Sequence, residues 1–155
     1  MNKILFTTFF LSLLTTALFA QDATTLRKKK FNLDNGLAIQ GYDPVCYFTQ
    51  NKAVKGSNDF TLSEQGVTYY FSSAANRDAF KVDPAKYEPQ YGGWCAYAMG
   101  TKGEKVDINP ETFKLINGKL YLFYNKWFNN TLTDWNKDEA NLKKNADINW
   151  PKIYR

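Results

Sequence analysis

The softest donors in this chain are three sulfur side chains: Cys46, Cys95 and Met99, the last being the only methionine besides Met1. Cys95 and Met99 stand four apart, so on a helix they would share one face. Two thiolates and a thioether would suit Cu(I). Two other readings stand beside this one. In an oxidising compartment Cys46 and Cys95 would pair as a disulfide, closing a loop of about 50 residues worth roughly 4 kcal/mol in the chain-entropy picture. Alternatively both thiols stay unpaired in the core, with Met99 as apolar filler.

Histidine is absent from all 155 residues. Its absence excludes Ser-His and Cys-His catalysis, histidine metal sites and histidine-ligated haem. It also removes the side chain best suited to general-base work near neutral pH. There is no Cys-x-x-Cys, so a thiol redox enzyme is not expected. Asp43, Asp83, Glu88, Asp107 and Glu111 are the acidic candidates, but no spacing marks a pair for hydrolysis or for a hard cation. No phosphate-binding loop occurs, and Gly92-Gly93 lacks the flanking pattern of a dinucleotide site. Aromatics make up 17% of the chain. Tyr42, Asp43, Tyr91, Trp94 and Tyr97 are candidates to line a pocket, since small-molecule sites combine apolar walls with a few polar groups. A small aromatic core with hydroxyls at its edge is the other outcome.

The length suits one domain. Residues 1–20 read as a secretory signal peptide, with Lys3 leading, an apolar run from Ile4 to Phe19, and Ala20 before the cut at Gln21. The protein is therefore expected to be secreted or periplasmic. Residues 21–36 read as a flexible basic leader carrying Arg27-Lys28-Lys29-Lys30, and residues 37–155 as the domain. Loss of Lys3 with the signal leaves 19 basic against 15 acidic residues, or +4. One short basic run does not make a nucleic-acid face. No second apolar run follows, so no stable membrane span is expected after signal removal.

Hydrophobic patterning supplies the elements. Val45 to Phe48 predicts a buried strand. Phe60 to Ser63 and Val67 to Phe71 predict a hairpin across Gln65-Gly66. Ser72 or Ser73 would cap a helix that runs to Val82, with Phe80 inward and Asp83-Pro84 as the stop. Pro84 to Tyr87 reads as a single turn of helix, and Asn109-Pro110 as a turn. Asn117-Gly118 between Thr112–Ile116 and Lys119–Tyr124 predicts a second hairpin. Two helices are expected at the end, from Lys126 to Asp134 and from Asn136 to Asp147. Trp127, Phe128, Trp135, Leu142 and Ile148 would cover the sheet. The fold class is α+β: short antiparallel hairpins forming a small sheet under C-terminal helices.

Several ordered motifs carry a resemblance. They are Gly41-Tyr42-Asp43-Pro44-Val45-Cys46-Tyr47-Phe48, Tyr69-Tyr70-Phe71-Ser72-Ser73 with Asn76-Arg77 and Phe80, and Gln90-Tyr91-Gly92-Gly93-Trp94-Cys95-Ala96-Tyr97-Ala98. Asp83-Pro84 with Tyr87, Asp107 with Pro110, and Gly118-Lys119-Leu120-Tyr121-Leu122 complete the set. From Gly41 to Ile153 the chain resembles exported bacterial YHS-domain proteins. Metal-associated members of that family read Asp-Pro-Val-Cys and later Phe-Cys-Ser-x-x-Cys. This chain keeps Asp43-Pro44-Val45-Cys46 but carries Ser72 and Asn76 at the two later thiol positions. The resemblance implies a non-catalytic binding domain whose ligand is a soft metal ion such as copper, with Cys46, Cys95 and Met99 as the remaining donors. The alternative is a disulfide-stabilised interaction module for a protein or small molecule, without metal. The partner is then a metal ion or another exported protein.

Overall fold

The computed structural model of the protein describes residues 23–153. The expected signal peptide lies outside the described residues. The fold is α+β, as the patterning predicts, and its β structure consists mainly of antiparallel hairpins.

Residues 23–30 form helix α1, so the stretch expected to be a loose leader carries regular structure. Its end is tied down by Asn32, whose N–H donates to the Gly92 carbonyl at 2.8 Å, and by Trp94 Nε1, which donates to the Lys30 carbonyl at 2.7 Å. Strands β1 (Leu33–Asp34) and β2 (Leu37–Ala38) follow. Helix α2 spans Pro44–Gln50, where the apolar pattern predicts a strand. The local chemistry explains the difference. Asp43 caps the helix by accepting from the Val45 N–H, and Pro44 sits at the first helical position, where its missing N–H costs nothing.

Strands β3 (Ser57–Glu64) and β4 (Val67–Phe71) form the first predicted hairpin, turning through Gln65 and Gly66 with φ of +47° and +84°. The sheet order is β1-β2-β4-β3. Val67, Tyr69 and Phe71 point into the core, alternating as a half-buried strand requires. Helix α3 (Ala74–Val82) is capped by Ser73 and buries Phe80 against Tyr69 and Phe71. The single turn α4 (Pro84–Tyr87) then brings in Tyr87.

A second core lies beyond Gly92-Gly93. Helix α5 (Ala96–Thr101), strands β5 (Asn109–Ile116) and β6 (Lys119–Phe123), and helices α6 (Thr131–Trp135) and α7 (Glu139–Asn149) enclose Met99, Tyr121, Phe123, Trp135, Leu142 and Ala146. The turn Asn117-Gly118 has positive φ at both residues, as a type I′ hairpin needs. Asn109-Pro110 is not a turn. It starts β5, with a register shift before Phe113, and the Pro110 carbonyl accepts from Tyr47 Oη at 2.9 Å.

The end of the chain departs most from expectation. The residues from Lys126 to Asn130 do not form a helix. They belong to a short hairpin, β7 (Asn125–Lys126) with β8 (Asn129–Asn130), turning at Trp127 and Phe128. Trp127 and Phe128 therefore cover nothing: Trp127 is 85% exposed and Phe128 fully so. Ile148 is also exposed, whereas Trp135 and Leu142 are buried as expected. Asn130 caps α6 by accepting from the Leu132 N–H, which delays the helix by about a turn. Among the described residues no helix is long and apolar enough to cross a membrane.

Candidate functional site

Asp43 is completely buried. A carboxylate there must be fully hydrogen-bonded or neutral. Its Oδ1 accepts from the Val45 N–H at 2.8 Å. Its Oδ2 accepts from the Ser72 N–H, from Ser72 Oγ and from Asn76 Nδ2, each at 2.7 Å. Burial pushes the carboxyl up, but the Asn76, Ser72 and Val45 donors outweigh it and hold Asp43 below the usual carboxylate range. The charge thereby ties the start of α2 to the end of β4 and the first turn of α3.

Cys46 joins the same knot. Its Sγ lies 3.4 Å from Ser72 Oγ, 3.3 Å from Asn76 Nδ2 and 3.3 Å from Gln50 Nε2. Burial, helped by the neighbouring Asp43 charge, pushes this thiol up despite the Ser72 and Asn76 hydrogen bonds. Ser72 and Asn76 thus both meet Cys46. Asn76 turns N–H groups toward both Asp43 and Cys46, while Ser72 spends its one hydroxyl proton on Asp43 and faces Cys46 as an acceptor. A soft cation needs deprotonated sulfur and open lone pairs. This knot offers a protonated thiol and occupied acceptors, and does not fit such an ion.

Cys95 sits elsewhere, at the start of α5. Its Sγ accepts from the Tyr124 N–H at 3.3 Å and lies 3.4 Å from Thr131 Oγ1. Met99 is fully buried in the second core. The expected Cys46–Cys95–Met99 metal site is therefore not formed. The polar neighbours of the two thiols share no residue, and no group of three or more Cys, Asp or Glu among the described residues could hold a metal ion. The disulfide expectation is corrected as well, because Cys46 and Cys95 are both free and buried. A helical spacing of four did put Met99 on α5, but Cys95 only precedes that helix, and its thiol turns toward α6 rather than toward a shared ligand.

The five pocket candidates do not line one cavity. Tyr42 packs beneath Lys55, whose Nζ is 4.4 Å from the ring centroid, and donates to Glu111 at 3.2 Å. Asp43 belongs to the buried knot. Trp94 is held by the Lys30 carbonyl, with Lys105 Nζ 5.1 Å from its ring centroid. Tyr91 lines a cavity of about 360 Å³ with Arg27, Phe31, Glu88, Asp147 and Trp150. There Arg27 pairs with Glu88, and Tyr91 Oη donates to Asp147 at 2.9 Å. Tyr97 lines a different groove, of about 430 Å³. Cys95 forms its floor, Ala98, Val106 and Tyr124 its apolar wall, and Lys102, Glu104, Asn129 and Thr131 its polar rim.

The sequence reading missed Tyr124, Asn129 and Thr131 as neighbours of Cys95. The Asn130 cap before Thr131 was the available signal, since it predicts where α6 begins and which hydroxyl faces back. No family model, curated protein or solved structure matches this chain.

Proposed function

We propose that this chain is an exported, non-catalytic binding module of the YHS type that works without a bound metal. The groove over Cys95 is its contact site for a small aromatic or apolar molecule. The observation that carries the reading is the make-up of that groove: an apolar wall of Tyr97, Ala98, Val106 and Tyr124 with a charged rim of Lys102 and Glu104. Such a combination holds a flat apolar body and orients it by one or two polar groups. The Asp43–Ser72–Asn76 knot supports the metal-free part. It joins α2, β4 and α3 through a single carboxylate, the task a shared metal ion would otherwise perform.

A screen of small aromatic fragments by amide NMR tests this. Binding should shift the resonances of Tyr97, Ala98, Val106 and Tyr124, and Ala98→Trp should abolish it by filling the groove. Fragments that shift only the Tyr91 and Trp150 region, or none at all, would overturn the assignment.

A further inference from the structure

Among the described residues four hairpins turn through two residues each. Three use glycine at the second position: Asn35-Gly36, Gln65-Gly66 and Asn117-Gly118, all with positive φ at both residues. The fourth, between β7 and β8, turns through Trp127-Phe128. Trp127 takes a φ of +59°, a left-handed conformation that disfavours a bulky side chain. Glycine or asparagine would turn there without that cost. Instead the chain holds two large aromatics at the tip and exposes both. Burial within the domain does not account for them.

Charge indicates what covers them. Lys126 immediately precedes the tip and is exposed. Asn129, just after it, borders the groove over Cys95, and Lys102 stands in the same rim. Beyond it Lys105 reaches the Lys29 carbonyl at 2.7 Å, which brings the basic end of α1 alongside that loop. Glu104 is the acidic member of the rim, and the chain from Gln21 onward carries a net charge of +4. Tryptophan and phenylalanine beside lysines suit the boundary of an anionic bilayer. The rings enter the acyl boundary, the lysines stay with lipid phosphates, and no spanning helix is required.

We propose that the Trp127-Phe128 tip docks the protein peripherally on an anionic lipid surface. This does not rest on the groove reading, and either can fail alone. The test uses the chain from Gln21 onward, which contains every described residue. Co-sedimentation with vesicles of equal phosphatidylglycerol and phosphatidylcholine is compared with phosphatidylcholine alone. Binding to the anionic vesicles should be about tenfold tighter and fall in high salt. Trp127→Ser with Phe128→Ser should cost about tenfold while circular dichroism stays unchanged. Trp127→Phe should keep the binding but lose the blue shift in tryptophan fluorescence, because the other three tryptophans are partly or fully buried. Absence of wild-type binding at low salt would overturn the proposal. So would a double variant that binds as wild type does, which would place the attraction on the basic α1 helix. Tip-dependent association with a second protein but not with lipid would overturn it too.

Discussion

Asn76 gives one side-chain amide to two acidic neighbours: its Nδ2 lies 2.7 Å from Asp43 Oδ2 and 3.3 Å from Cys46 Sγ. A carboxylate accepts only, so the amide nitrogen must face Asp43. That orientation also fixes what Cys46 sees. The thiol sits in a buried corner beside the Asp43 charge, and burial and that charge keep its proton on against the opposing pull of the Asn76 donor.

Asp43→Asn should lower stability at pH 7 by about 2–3 kcal/mol, because buried hydrogen bonds to a charge are lost and their donors left facing an amide. The sign of the pH effect follows from the lowered carboxyl. A depressed folded-state value stabilises above the unfolded value, near pH 4, and that stability disappears as pH falls through the folded value. Urea midpoints of wild type and variant should therefore converge below about pH 4. Parallel curves down to pH 2 would place the charge elsewhere.

Both thiols should be free yet slow to react. Cys46 and Cys95 are each fully buried, so a thiol reagent at pH 8 should label two groups per chain only after denaturation. Reductant should leave the melting temperature unchanged. A mass two units lower before reduction would show a bond between them.

Ser72→Cys with Asn76→Cys should create what the wild-type knot lacks. Both side chains already touch Cys46 Sγ, so three thiols would converge beside Asp43. Titration with Co(II) should give thiolate charge-transfer bands in the double variant and none in wild type. Failure of the variant to bind would count against the YHS resemblance at these positions.

Gly100 sets how closely α5 approaches α7. A Cβ built there would lie 2.5 Å from the Leu142 carbonyl oxygen, and backbone cannot give way as a side chain can. Gly100→Ala should cost about 1–3 kcal/mol through overpacking. Gly118→Ala is the control: a Cβ there meets no heavy atom within 4 Å, which leaves only the left-handed backbone cost of about 1–2 kcal/mol. Similar losses with rearranged α5–α7 contacts by NMR would mean the helices slide apart freely.

Trp127 and Trp135 should behave oppositely in chemical denaturation. Trp135 is fully buried against Tyr121 and Phe123, so Trp135→Ala should cost about 3–5 kcal/mol. Trp127→Ala should change stability by no more than about 0.5 kcal/mol, because the exposed ring packs on nothing and alanine keeps the same left-handed backbone cost. A large loss at Trp127 would require contacts that this arrangement does not provide.

The local signals were read where short-range chemistry decides. Asn117-Gly118 turned as expected because both of its residues tolerate positive φ, and in Gln65-Gly66 the glycine supplies that freedom at the second position. Ser73 capped α3, and Phe80 and Trp135 went inside by periodicity and size. The strand assigned to Val45–Phe48 was a helix because Asp43-Pro44 is also a helix start, and a short apolar run does not tell the two apart. Placement of the aromatic tip failed for a similar reason. Trp127 and Phe128 look like core by composition, and only the β7–β8 pairing, with Asn130 starting α6 late, puts them in solvent.

By itself the sequence determined the α+β class, the hairpins at Gln65-Gly66 and Asn117-Gly118 and the exclusion of histidine chemistry, all of which depend on residue type and near neighbours; the Asn35-Gly36 hairpin fell in the stretch read as a leader. Tertiary structure alone decided the fate of the sulfurs. Cys46 and Cys95 are 49 positions apart, and whether they meet depends on how α2 and α5 pack. They face different neighbours: Cys46 a knot of donors around Asp43, Cys95 the floor of a groove. That outcome turns on long-range packing, which sums many weak contacts across the chain and leaves no short-range mark at either cysteine.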